Sequence, residues 1–224
     1  MMGSSVFALA LVLTAPSLAA QQTIADRLAG RVSPQLATLV SELGTAAATR
    51  GLPVDPLIQK AIEGSAKGVA PDRVATAVWL VASQLDTAAA ALRSSGLTPF
   101  DTVTVAAAGF AINAGLNGRN IAELARTGGP AADIVVGLRV AGTLAALGVP
   151  PSEAVTLVSA ELRVGRASTD LLALPGRVQA EIARGNTPAQ AAAGLARAAA
   201  AQSRRGPPPD HGQPPGHGHP PPHP

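Results

Sequence analysis

The stretch from Gly51 to Val81 reads GLPVDPLIQKAIEGSAKGVAPDRVATAVWLV and carries the signals that decide the fold. Two apolar segments begin at Pro56 and Pro71, and Gly68 separates them. Proline is favoured at the first position of an α-helix, and glycine is favoured just after its last position. The stretch is therefore predicted to be a helical hairpin, and we expect the other helices to pack on it.

The same punctuation recurs along the chain. Helix starts marked by a capping residue or by proline are predicted at Ser33-Pro34, Asp55-Pro56, Thr98-Pro99, Pro150-Pro151 and Thr187-Pro188. A variant of the capping box is predicted at Asn120-x-x-Glu123. Between these signals, apolar residues recur at helical spacing, which predicts helices rather than strands. The fold class predicted is all-α: a compact array of about eight to eleven short helices over residues 21–203.

Individual helix faces follow from the same spacing. The segment after Pro71 has an apolar stripe of Val74, Val78, Val81 and Leu85, and the next has Phe100, Val103, Ala107, Phe110 and Ala114. The segment from Ile134 to Leu147 is apolar on two sides, which predicts a central helix. The last segment is mostly alanine, with Leu195 as its one large anchor.

Composition narrows the classes of function. Of the 224 residues, 47% are hydrophobic, 2% are aromatic and none is cysteine. The absence of cysteine removes disulfides, thiol catalysis and cysteine-ligated zinc. The formal net charge is +3, and the cations alternate with acids instead of clustering. A nucleic-acid partner is not expected from this pattern, because such proteins concentrate their cations on one face or arm.

Residues 1–20 resemble a secretory signal peptide. An apolar run from Val6 to Leu13 precedes small residues, which allow cleavage after Ala19 or Ala20. The segment lacks a leading cation, and the alternative is an uncleaved anchor, for which the run is short. No later stretch of spanning length is free of charges, so we expect a periplasmic or secreted protein without a stable membrane span.

Residues 204–224 are rich in proline, histidine and glycine and are predicted to be a disordered tail. All four histidines of the chain lie there: His211, His217, His219 and His223. They are the candidate metal ligands, since imidazoles on a flexible segment can gather weakly around Ni, Cu or Zn. The alternative is a low-complexity tail without a ligand. No other cofactor is expected.

The helical body contains no histidine, cysteine or tyrosine. Acid–base chemistry would fall to Asp, Glu or Lys, and no Gly-x-Ser-x-Gly or phosphate-binding glycine loop is present. The absence of histidine, cysteine and tyrosine from the body argues against an enzyme. A hydrolase that uses a buried pair of carboxylates is the catalytic alternative that the sequence leaves open.

Three residues are candidate partner contacts: Lys60, Lys67 and Trp79. The lysines share a helical face with Glu63, which predicts ion pairs on a solvated face; alternatively, they contact an anion or a partner. Trp79 lies about 140° around its helix from the Val74 stripe, so either a second helix covers it or it is exposed to a partner. The function predicted is a non-enzymatic helical binding or scaffold protein with a protein partner in the cell envelope.

Overall fold

The computed structural model describes residues 23–127, 129–166 and 168–205. Residues 23–28 are helical and are called α1. Ten helices follow: α2 (Pro34–Thr49), α3 (Asp55–Ala66), α4 (Pro71–Ser94), α5 (Thr102–Asn113), α6 (Gly118–Ala125), α7 (Ala131–Ala146), α8 (Pro151–Arg163), α9 (Ser168–Leu172), α10 (Leu174–Ala183) and α11 (Pro188–Arg205). No strand occurs within the described ranges, and the predicted all-α fold is confirmed. The predicted signal peptide and residues 206–224 lie outside them.

Polar side chains cap helices at two of the predicted starts. Ser33 Oγ accepts a hydrogen bond from the backbone N–H of Leu36 at 3.4 Å, at the start of α2. At the start of α11, Thr187 Oγ1 accepts from the N–H of Gln190, and Gln190 Oε1 accepts from the N–H of Thr187. These bonds satisfy donors that have no partner inside the helix.

The predicted starts of α3 and α5 are wrong in detail. Asp55 belongs to the first turn of α3 and does not cap it; its Oδ1 lies 2.7 Å from Arg27 Nη1. α5 begins after the predicted Thr98 cap, where Asp101 accepts from the Thr104 backbone N–H at 2.8 Å and from its hydroxyl at 2.6 Å. The hydroxyl bond, followed by the backbone bond, holds the pKa of Asp101 below its ordinary value.

The capping box of α6 lies one turn before the predicted one. Asn117 Oδ1 accepts from the backbone N–H of Asn120 at 3.0 Å, and Asn120 Oδ1 accepts from that of Asn117 at 3.1 Å. The sequence pattern placed Asn120 at the N-cap of the box, but in the structure it is the third residue of the helix and Asn117 is the N-cap. An asparagine side chain can fill either position, because its amide oxygen accepts a backbone N–H.

Two helices organise the core. α4 packs against α2, α3, α5 and α6, whereas α7 packs against α5, α6, α8, α9 and α10. α11 packs on α8 and α10. The second half of the chain is therefore assembled around α7, as its two apolar sides predict. The expectation that every other helix packs on the Gly51–Val81 hairpin is wrong.

Small residues stand where the helices cross. A Cβ added to Gly142 of α7 would lie 3.0 Å from the Cα of Ala111. One added to Gly109 of α5 would lie 2.9 Å from Cδ2 of Leu85, and at Gly64 of α3 the nearest atom would be 2.7 Å away. Side chains at these positions would force the helices or their neighbours apart. The α3–α4, α4–α5 and α5–α7 crossings are therefore close because each contains a glycine.

The apolar face predicted for α5 is wrong in part: Ala107 is buried as predicted, but two of its large residues are exposed. Val103 is 50% exposed and Phe110 is 47% exposed. The buried residues of α5 are Thr104, Val105, Ala107, Ala108, Gly109 and Ala111. In α11, Ala191, Ala192, Ala196 and Ala199 are buried, whereas Leu195 is only partly covered. In these two helices small side chains admit the partner helix, so their largest residues do not mark the buried face.

Among the described helices, α4 alone is long and apolar enough to cross a membrane by length and composition. A core helix of a water-soluble protein passes the same test, and 33% of the most apolar part of α4 is buried by the rest of the fold. The expectation of no stable membrane span remains a prediction.

Candidate functional site

Lys60 lies in α3 and Lys67 directly follows its last residue, and both side chains lie beside Glu63. Lys60 Nζ donates to Glu63 Oε2 at 3.2 Å, and Lys67 Nζ donates to Glu63 Oε1. The bond from Lys67, followed by that from Lys60, holds the pKa of Glu63 below its ordinary value. All three side chains are more than a third exposed, so solvent screens the pairs. The ion-paired face is present as predicted, and a partner contact by Lys60 and Lys67 remains a prediction.

A cavity of about 370 Å³ opens beside this face, between α3, α4, α5 and α7. Its volume falls in the range of sites that bind small ligands. Leu85 and Phe110 are among its apolar lining residues, and Arg139 of α7 lines it with a positive charge. The remaining lining residues are Pro56, Gln59, Lys60, Glu63, Val81, Gln84, Ala106, Gly109 and Asn113.

A second cavity, of about 180 Å³, adjoins the first along the seam between α3 and α4, because Lys60 and Glu63 line both. Its other lining residues are Gly64, Lys67, Val69, Arg73, Val74 and Ala77. We call the two cavities together the α3–α4 groove. The groove brings Lys60 and Lys67, the predicted partner contacts, together with side chains of α4, α5 and α7.

The α3–α4 groove is positively charged. Its ionisable residues are the cations Lys60, Lys67, Arg73 and Arg139 and one acid, Glu63. Glu63 is already shared by both lysines. Neither arginine forms an ion pair with any residue in the described part of the chain. The groove therefore presents uncompensated positive charge from two different helices, α4 and α7.

Trp79 lies on the other side of α4. At about 100° per residue it is roughly 160° from Val81, which lines the groove. Trp79 is 55% exposed, and the adjacent Leu80 is 58% exposed. Of the two alternatives that the sequence left open, the structure selects exposure. Trp79 and the two lysines thus belong to different surfaces of the α3–α4 pair.

A buried carboxylate, which the sequence analysis did not single out, lies near the end of α8. Glu161 is 2% exposed; its Oε1 accepts from Arg177 Nη1 of α10 at 3.1 Å, and its Oε2 lies 3.3 Å from Arg166 Nε. Arg166 Nη2 also donates to Gln202 Oε1 of α11 at 2.5 Å. The cluster ties three helices together. The available signal was spacing, because Glu161 follows Val158 by three positions on the buried face of α8.

The described cavities contain no pair of acids. Glu63 is the single carboxylate in the groove, and Glu181 is the single one in a third cavity of about 440 Å³ between α10 and α11. These cavities therefore give no geometric support to a hydrolase with paired carboxylates. Over residues 23–127, 129–166 and 168–205, no three metal-binding side chains lie together. The candidate ligands His211, His217, His219 and His223 lie outside these residues.

Comparisons of the chain with protein-family models, curated proteins and solved structures found no match. The functional argument therefore depends on the surfaces described above.

Proposed function

We propose that the protein is an exported, non-enzymatic helical binding or scaffold protein with a protein partner in the cell envelope. The observation that supports this most directly is the exposure of Trp79 beside Leu80 on α4. Tryptophan is enriched among the few residues that dominate the energy of protein interfaces. The absence of histidine and cysteine from residues 21–203 supports the non-enzymatic part of the proposal.

The exposed part of Trp79 is large enough to matter for binding. A partner that covers it would remove roughly 100 Å² of apolar surface from water, which corresponds to about 2.5 kcal/mol. Leu80, next to it on the same helix, would add to this area. By contrast, Thr76 and Ser83, one turn away on either side, supply polar groups of the kind found at an interface rim.

The test is capture of partners from envelope extracts by the immobilised protein, compared with Trp79→Ala. Leu172→Ala is the matched control, because Leu172 is 60% exposed but lies on α9. We expect Trp79→Ala to lose a protein that both the wild type and the control retain. Retention of every captured protein by Trp79→Ala would remove this surface from the proposal. Because Trp79 is the only tryptophan, its fluorescence should shift to the blue when a captured partner is added back.

An alternative function is periplasmic binding of a transition metal by the tail histidines. It is supported by the placement of all four histidines within residues 211–223. Calorimetry with Ni, Cu and Zn on the full chain and on a chain that ends at Arg205 separates the two functions. Equal heats from both would exclude the tail as the metal site.

A further inference from the structure

We propose that the α3–α4 groove binds a short acidic peptide segment of a partner protein in an extended conformation. The inference rests on the proposed binding function but not on Trp79, which lies on the other side of α4. It assigns a ligand chemistry to the surface that contains Lys60 and Lys67.

The charge of the groove selects the sign of the ligand. Its one acid, Glu63, already holds Lys60 and Lys67, so it offers little to a cationic ligand. Arg73 lines the second cavity and Arg139 the first, and both side chains are exposed. Without acidic partners in the described part of the chain, these guanidinium groups can pair with carboxylates in a bidentate geometry.

The uncharged lining favours a peptide over a simple organic acid. Gln59, Gln84 and Asn113 line the first cavity, and each amide can both donate and accept. Such groups match the alternating N–H and C=O groups of an extended backbone. Phe110 lines the first cavity and Val69 the second, and both are partly exposed, so they can contact apolar side chains of the same segment. A fatty carboxylate would use none of these amide groups.

The length of the groove sets the size of the segment. Along α4 the groove runs from Arg73 to Leu85, which is about 18 Å at 1.5 Å per residue. An extended chain covers this distance with about five to six residues. A segment of alternating acidic and apolar residues would place its carboxylates toward the cations and its apolar side chains toward Phe110 and Val69.

The experiment measures fluorescence anisotropy of a labelled peptide of about six residues, alternating Leu and Glu, with the full chain. The matched peptide alternates Leu and Lys and should bind at least about tenfold more weakly. Added salt should weaken binding of the acidic peptide, since the contacts are partly exposed.

Variants locate the binding. Arg73→Gln and Arg139→Gln should each weaken binding about fivefold, and the double variant roughly 25-fold, since the two arginines line different cavities of the groove. Arg119→Gln, which removes an exposed cation of α6, should leave binding unchanged, as should Trp79→Ala. Circular dichroism of each variant confirms that the helices remain.

Equal binding of the two peptides, or an equal loss in Arg119→Gln, would overturn the assignment. The same holds if octanoate or vesicles of anionic phospholipid bind with the expected sensitivity to Arg73 and Arg139 while the acidic peptide does not. Any of these results would leave intact the capture of a partner that depends on Trp79. Conversely, loss of the Trp79 surface from the proposed function would leave peptide binding in the groove intact.

Discussion

Gly142 lies in the middle of α7, where α5 crosses it, and replacing it by alanine sets two energies against each other. Alanine in a helix interior is more favourable than glycine by about 1 kcal/mol. An added Cβ, however, would lie 2.9 Å from Cε1 of Phe110 and 3.0 Å from Cα of Ala111. The substitution therefore tests whether the close crossing of α5 and α7 outweighs helix propensity.

The structure indicates that the cost of overpacking is larger than the gain in helix propensity. Phe110 is half exposed, so its ring can turn away at little cost, but the Cα of Ala111 belongs to the backbone of α5. The two helices must then separate by a few tenths of an ångström, and overpacking of this kind costs about 1–3 kcal/mol. After the gain in propensity, we expect Gly142→Ala to lower the free energy of unfolding by about 1 kcal/mol. The corresponding fall in Tm is about 2–4 °C.

Gly194→Ala is the matched control. Gly194 lies within α11, and nothing would stand within 4 Å of its added Cβ. Alanine there should raise the free energy of unfolding by about 0.5–1 kcal/mol. Urea and thermal unfolding, followed by circular dichroism, measure both variants against the wild type. If both variants stabilise the protein equally, the α5–α7 crossing does not depend on a glycine and the reasoning is wrong.

Further predictions concern one packing site, one cap and one buried charge. Gly109→Ala should be milder than Gly142→Ala, with a change in unfolding free energy within about 1 kcal/mol, because the atom it meets is the end of the Leu85 side chain beside the groove; a larger loss in urea unfolding would contradict this. Asp101→Ala should cost about 1 kcal/mol at neutral pH. Because the pKa of Asp101 is lowered in the folded protein, this contribution is present above its ordinary value of 3.8 and is lost as the pH falls through the lower folded value. The gap in Tm between the wild type and the alanine variant should therefore close in acid, and a constant gap would refute the assignment. Glu161→Gln should lower the free energy of unfolding, measured in urea, by about 1–3 kcal/mol, because it leaves two arginines without their shared carboxylate. Unchanged stability would show that solvent fully replaces the lost carboxylate.

Local signals account for what could be predicted of the fold. Proline fixes a backbone angle suited to a first turn, and serine or threonine before it accepts the free N–H groups, so the starts of α2 and α11 followed from Ser33 and Thr187. The cap of α5 did not follow, because the pattern pointed to Thr98 before Pro99, whereas the path of the chain makes Asp101 the cap. The lysine pair on α3 was likewise local, since Glu63 lies within one turn of both.

Local sequence signals predicted only part of the candidate site. Helical spacing placed Trp79 away from its own apolar stripe, but whether a neighbour covers it depends on where α2 and the other helices lie. Arg139 and Phe110 belong to other segments, and nothing near them in the chain links them to Lys60. Glu161 had a spacing signal and Arg166 lies close to it in the chain, but its other partner, Arg177, comes from α10.

The sequence by itself determined that this protein is a set of short helices with an aliphatic, alanine-rich core, because composition, proline starts and helical spacing act within a few residues. Only the tertiary structure decided which faces of α5 and α11 are buried. Glycine and alanine let α5 approach α4 and α7 so closely that its largest residue, Phe110, does not mark the contact. The tertiary packing also leaves Trp79 and Phe110 exposed. It brings cations of α3, α4 and α7 to one groove, which no spacing along the chain encodes.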